Sequence, residues 1–231
     1  MIGVTFRNRE DAAEQLAQRL SKYKGEHPLV LAIPRGAVPM GRIIAESLGG
    51  ELDVVLVRKL GAPSRPEFAI GAVDEYGHVY VSDVARELGV GRDYLEREAS
   101  AQLKVLRNRR ARYTPLRPPV DPQGRLVIVV DDGSATGATM IAALRATRAK
   151  QPFRLVGAVA VAPPPTLAHL EAEADEIVCL EAPDAFYAVG QFFEDFSQVT
   201  DDEVATIIEE AVGEAALPKR KPRLGTTLHG T

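Results

Sequence analysis

LVIVVDDGSATGATM, residues 126–140, runs from an uninterrupted apolar segment through two acids into small and hydroxyl-bearing residues, and then into a helical pattern. A short apolar run without polar alternation suits a strand covered on both faces, the usual condition of a parallel sheet flanked by helices. The same grammar recurs on either side. PLVLAIP (28–34), DVVLV (53–57), 154–161 and 176–180 read as further strands. Helical spacing fills 9–22, the stretch through Ile43, Ile44 and Leu48, 138–149 and 166–173. Alternation of this kind predicts an α/β fold: a doubly wound, mainly parallel sheet with helices on both faces.

Three segments depart from the alternation. EFAIGAVDEYGHVYVS (67–82) has two alternating pieces around a turn at Asp74–Gly77, the pattern of an inserted antiparallel hairpin. Residues 92–112 form a long helix whose Leu95, Ala99, Leu103 and Leu106 make an apolar stripe on an Arg-rich, net positive background. An aromatic stretch, 182–196, precedes a last helix at 201–215, which Thr200 and Glu203 are placed to cap. One domain over 1–215 is expected, with 60–82 as a loop and hairpin insertion, 182–196 as a hood, and 216–231 as a flexible basic tail.

The formal charge is −4, and Lys219, Arg220, Lys221 and Arg223 concentrate positive charge in that tail. The remainder is acidic and not built for duplex DNA. Cys179 is the only cysteine, which excludes a disulfide framework and suits a reducing compartment. No apolar run approaches the ~18 residues of a membrane span, and MIGVTFRNRE lacks the apolar core of a signal peptide. The cytoplasm is the expected location, with no membrane partner. His27, His78, His169 and His229 match no metal spacing, so no dedicated metal site is expected.

At the end of a strand in such a sheet, a loop that opens a helix is a natural ligand site. Ser134, Ala135, Thr136, Gly137, Ala138 and Thr139 offer backbone N–H groups and hydroxyls suited to a monoester phosphate, and Gly133 and Gly137 permit close approach. A phosphate alone leaves Asp131 and Asp132 unexplained, because acids repel it. They must address something neutral or cationic: sugar hydroxyls, Mg²⁺ with its waters, or positive charge developing on a sugar ring.

Phosphoribosyl pyrophosphate combines all three, and V129-V130-D131-D132-G133-S134-A135-T136-G137-A138-T139 resembles the binding motif of the type I phosphoribosyltransferases. The match holds at both acids, Thr136, Gly137 and Thr139; Gly133 and Ser134 stand where family members often carry aliphatic residues. I33-P34-R35-G36-A37 resembles the family's pyrophosphate loop, and V57-R58-K59-L60 stands where the family has a mobile loop. The longer run VRKLGAPSRPEFAIGAV is similar to a bacterial phosphoribosyltransferase-like group, and the resemblance extends over roughly residues 5–213.

The resemblance implies transfer of ribose 5-phosphate to a small-molecule acceptor, commonly a nucleobase, as in nucleotide salvage. Asp131 and Asp132 would hold the sugar hydroxyls and stabilise the ring cation. Residues 133–139 would hold the 5-phosphate, while Arg35, Gly36, Arg58 and Lys59 would take pyrophosphate. Mg²⁺ would arrive with substrate, with Asp131 and Asp132 within its reach, and Phe186 or Tyr187 in the hood would stack on a base. A homodimer is implied as well. The missing GxxxxGK[ST] and GxGxxG exclude a P-loop nucleotidase and a Rossmann dehydrogenase. A receiver domain also has paired acids, but the phosphate-loop residues that follow IVVDDG do not suit it. Two rivals stay open: a regulator of the same fold that binds RNA through the Arg-rich helix and tail or senses nucleotides, and hydrolysis of the donor by water.

Overall fold

A computed structural model describes residues 5–113, 115 and 119–216. The basic tail expected from residue 216 onward lies, beyond Ala216 itself, outside the described residues. Strands β1 (Leu29–Ala32), β2 (Glu51–Val54), β6 (Leu126–Asp131), β7 (Arg154–Val161) and β8 (Glu176–Glu181) form a five-stranded parallel sheet in the order β2-β1-β6-β7-β8. Helices α1 (Arg9–Arg19), α2 (Ala37–Leu48) and α7 (Asp201–Ala216) cover one face, and α5 (Ala138–Arg148) with α6 (Pro164–Glu171) covers the other.

Alternate residues of each central strand feed opposite layers. Val30, Ala32, Ile128, Val130, Val156 and Ala158 join the core shared with α1, α2 and α7. Leu29, Leu31, Val127, Val129, Leu155 and Val159 join the core beneath α5 and α6. Both sets are buried, which is why the strand sequences read as unbroken apolar runs. No helix among the described residues is long and apolar enough to cross a membrane.

The DVVLV segment is not one strand. The Val55 N–H still donates to Ala32 O at 3.1 Å, extending the pairing with β1, but Leu56 O accepts the N–H of Glu75. The chain thus changes partners and enters β3 (Val57–Ala62), which pairs antiparallel with β4 (Arg65–Asp74), and β4 with β5 (Val79–Val81). The expected hairpin is present as β4 and β5, and β3 makes it a three-stranded sheet. Its turn is set by the buried Asp74, whose Oδ1 accepts the N–H groups of Tyr76 and His78 at 2.9 Å each. Such side-chain bonding to the following backbone is the turn chemistry Asp supplies.

The short helix α3 (Asp83–Glu87) leads into α4 (Arg92–Tyr113). Ala99 and Leu106 of the α4 stripe are buried, Leu95 packs on the same core, and the helix rests on β3, β4 and α7. The stripe is therefore used within the chain. At the start of α7, Thr200 N–H donates to Glu203 Oε2 at 2.6 Å and Glu203 N–H to Thr200 Oγ1 at 3.2 Å, the reciprocal bonds of a capping box.

Candidate active site

Register brings the loops together. Ala32 pairs with Val130 and Val130 with Ala158, and Ile33 N–H donates to Val130 O at 3.0 Å. Loops 33–36 and 131–137 therefore leave the carboxyl edge of the sheet side by side, and the turn out of β2 delivers β3 to the same edge. Between them lies an open cleft of about 500 Å³, bordered by Arg35, Gly36, Arg58, Lys59, Asp132 and Thr139 among others. Six residues singled out in sequence thus border one space.

The two acids have different surroundings. Asp131 Oδ1 accepts the N–H of Asp132 at 3.0 Å, while Asp132 Oδ2 accepts from Arg9 Nε at 2.8 Å. Burial and then the neighbouring Asp132 carboxylate push Asp131 well above the usual carboxylate range. Burial also raises Asp132, and the Arg9 guanidinium opposes that rise. For both acids burial outweighs the positive charge of Arg9, a condition common at functional sites. A ligand that brings positive charge would relieve it.

Arg9 was missed in the sequence. From the first turn of α1 it reaches Asp132, donates from Nη1 to Ser197 O at 2.7 Å, and lies 3.8 Å from the centroid of Phe196. The Arg9 and Asp132 side chains are only 13% and 14% exposed, so this pair joins α1, the β6 loop and the hood away from bulk water. No motif announces it, because an arginine in a helical first turn reads as solvated charge. Arg9→Met, which keeps an apolar stem on Phe196, removes the cation that opposes the rise of Asp132. The acid limb of the kcat/KM profile is expected to move to higher pH, and an unmoved limb would show that Arg9 does not set the ionisation of Asp132.

The loop between β6 and α5 is pinned at two points. Ser134 is buried and its N–H donates to Val161 O at 2.9 Å, while Thr166 Oγ1 of α6 donates to Ala135 O at 2.7 Å. The Ser134 N–H is thus committed to the sheet, which narrows the expected run of ligand-facing amides to the residues after it. Ala135 and Thr136 are exposed. Gly137 has φ +79°, a conformation costly for other residues, and caps α5. The first-turn N–H groups that follow have no intrahelical partner, as at any helix start. A Cβ at Gly133 would press on Val189 and Val161, which holds this loop against the segment after β8.

On the other side, the Pro34–Arg35 peptide is cis, and Gly36 precedes α2. Arg35 Nη1 lies 3.8 Å from Asp201 Oδ2. Arg58 is held below its usual pKa, first by burial and then by the charge of Arg109, another cleft residue missed in sequence. The hood places its rings differently from expectation. Phe186 packs on Phe192 with centroids 5.3 Å apart, Tyr187 is 85% exposed, and neither borders the cleft. Phe192 and Phe193 are in the core, and Phe196 is the ring that faces the cleft, beneath Arg9. Among the described residues no group of three or more His, Cys, Asp or Glu side chains is arranged to hold a metal.

A two-faced parallel sheet with paired acids, an amide-rich loop and an opposing cationic loop at one edge defines an α/β domain of the class that carries its candidate site at the carboxyl ends of the strands. Residues 5–197 match the phosphoribosyl transferase domain family, and the chain belongs to it. Two proteins from strains of Mycobacterium tuberculosis, provisionally named phosphoribosyl transferases, are 42% identical over 207 residues, 89% of this chain. That alignment takes in 47% of each of them, so the chain spans about half the length of these curated relatives. The crystal structure of TT1426 from Thermus thermophilus is similar, with 48% identity and a TM-score of 0.78 over 89% of this chain and 98% of that one.

Proposed function

We propose that the protein transfers ribose 5-phosphate from phosphoribosyl pyrophosphate to a nucleobase, releasing pyrophosphate. The observation that carries this reading is that Asp132 and Thr139, on either side of the amide-rich loop that opens α5, border one cleft with Arg35, Arg58 and Lys59, with Asp131 next to Asp132 in the chain. In that pose the loop after Ser134 holds the 5-phosphate, the two acids hold the ribose hydroxyls, and the cations meet the leaving group. The bond from the sugar's anomeric carbon to the pyrophosphate oxygen breaks with its electron pair going to that oxygen. An acceptor nitrogen then bonds to the carbon and gives up its proton. Ionised acids beside a ring that becomes cationic help most in the transition state, which is where help accelerates a reaction.

Magnesium fits the donor set. Asp131 and Asp132 are the residues that would hold it, and two carboxylates plus substrate oxygens and waters are a common Mg²⁺ shell. Bound there with the donor, it would neutralise charge on the departing pyrophosphate. The proposed setting is cytoplasmic nucleotide salvage. Against the RNA-binding rival, much of the α4 charge is already paired: Arg92 with Glu96, Arg110 with Glu75, and Arg112 with Asp202.

The test is a panel of purines, pyrimidines and simple amines incubated with labelled phosphoribosyl pyrophosphate and magnesium, reading pyrophosphate release. Release that requires one base is expected. Release without any acceptor would make the protein a hydrolase of the donor. Failure of ribose 5-phosphate to bind at saturating magnesium would overturn the reading.

A further inference from the structure

Arg109 is a cleft cation that no loop motif accounts for. It comes from the last two turns of α4, a helix that otherwise packs on β3, β4 and α7. Its side chain is 23% exposed, and its Nε stands 3.6 Å from Asp201 Oδ1, beyond a proper hydrogen bond. The same carboxylate faces Arg35 at 3.8 Å and accepts from Tyr113 Oη at 3.1 Å. One acid thus stands between two guanidiniums and makes a close bond to neither. Its α4 neighbours are used elsewhere: Arg110 meets Glu75 through two bonds of 2.6 Å, and Arg112 pairs with Asp202.

Arg109 also acts on Arg58. Arg58 is half-buried, and the nearby Arg109 charge adds to burial in disfavouring its cationic form. Like charges brought together out of water are costly unless an anion joins them. A structure that gathers Arg35, Arg58 and Arg109 around one space, with a single loosely engaged carboxylate between two of them, is poised for a multiply charged anion. Guanidiniums suit phosphoryl oxygens because each offers a planar fork of donors.

We propose that Arg109 is a pyrophosphate-binding residue, which takes the leaving group together with Arg35 and Arg58, and that Asp201 occupies the Arg35–Arg109 pair until that anion arrives. The inference rests on the phosphoribosyl pyrophosphate reading and adds to it a ligand from outside the two loops. It gives α4 a part in the site and makes Asp201 a competitor of the anion.

Titration calorimetry with inorganic pyrophosphate and magnesium tests this, with ribose 5-phosphate as the control ligand. Arg109→Ala is expected to weaken pyrophosphate about tenfold or more, the scale of losing hydrogen bonds to a charged partner, while ribose 5-phosphate binds as before. Arg109→Lys should recover part of the loss, and Asp201→Asn should bind pyrophosphate more tightly than the unaltered protein. If Arg109→Ala melts below the assay temperature, Arg109→Gln, which keeps most of the stem, is read by the same criterion. A folded Arg109 variant with unaltered pyrophosphate affinity would overturn the proposal, as would weaker binding by Asp201→Asn. Failure of ribose 5-phosphate to bind the unaltered protein would instead sink the parent reading.

Discussion

Asp131→Asn and Asp132→Asn are each expected to lower kcat for pyrophosphate release by about 100-fold or more, the typical loss when one preorganised electrostatic group is removed. The two variants should differ in stability. Burial raises Asp131 in the folded chain, so the folded carboxyl keeps its proton to higher pH than the unfolded one does. Ionising it then costs folding free energy once the pH exceeds the raised value, and the cost disappears as pH falls through that value toward the unfolded one. Asparagine carries no such cost. Asp131→Asn is therefore expected to melt at a higher temperature than the unaltered protein near neutral pH, with the gap closing in acid.

Asp132→Asn lacks that clear gain, because it also removes the negative charge that Arg9 meets at 2.8 Å in a place with little water. A lone buried cation is costly. The two melting curves, measured beside turnover, separate a carboxylate kept for chemistry from one that also holds the fold. Near-full turnover in either variant would remove the acids from the transition state. A lower melting temperature for Asp131→Asn would mean that its burial is fully compensated in the folded chain. The expected pattern, less active and more stable, is the usual mark of a site that stores unfavourable charge for function.

What the sequence disclosed follows from how far each interaction reaches along the chain. Strand β7, Arg154–Val161, was legible to the residue, since from Leu155 onward it is one apolar run. The acids and the loop after them were legible because strand, carboxylates and helix start are contiguous. Arg9 lies 123 positions from its partner Asp132, and nothing local to residue 9 distinguishes it from other first-turn charges. Arg109 sits in a run of arginines whose members are sorted only by the helix face that each occupies. The break in DVVLV was hidden for a related reason: Val55 and Leu56 suit either sheet, and only the partners Ala32 and Glu75 decide where one ends. In the hood, composition announced aromatic packing but could not say which ring turns toward the cleft.

Gly36→Ala is expected to lower kcat/KM by about 100-fold, the scale on which misplacing a reacting group by an ångström acts. The backbone is not the obstacle. Gly36 has φ −57° and ψ −35°, ordinary right-handed helical values that alanine adopts readily. Space is the obstacle: a Cβ there would overlap Asp132 Oδ2 and stand 3.1 Å from Arg9 Nε and Nη2. The carboxylate cannot retreat without stretching the Arg9 bond, and Arg9 is tied in turn to Ser197 O and Phe196. One methyl group should thus displace the acid, the guanidinium and the edge of the hood together. Turnover, ribose 5-phosphate affinity and melting temperature are measured on the same preparation. Lost turnover in a folded protein is expected. Retained turnover would show that Asp132 works from a position other than the one Arg9 holds, and the proposed role of this loop pair in gripping the sugar would fall with it.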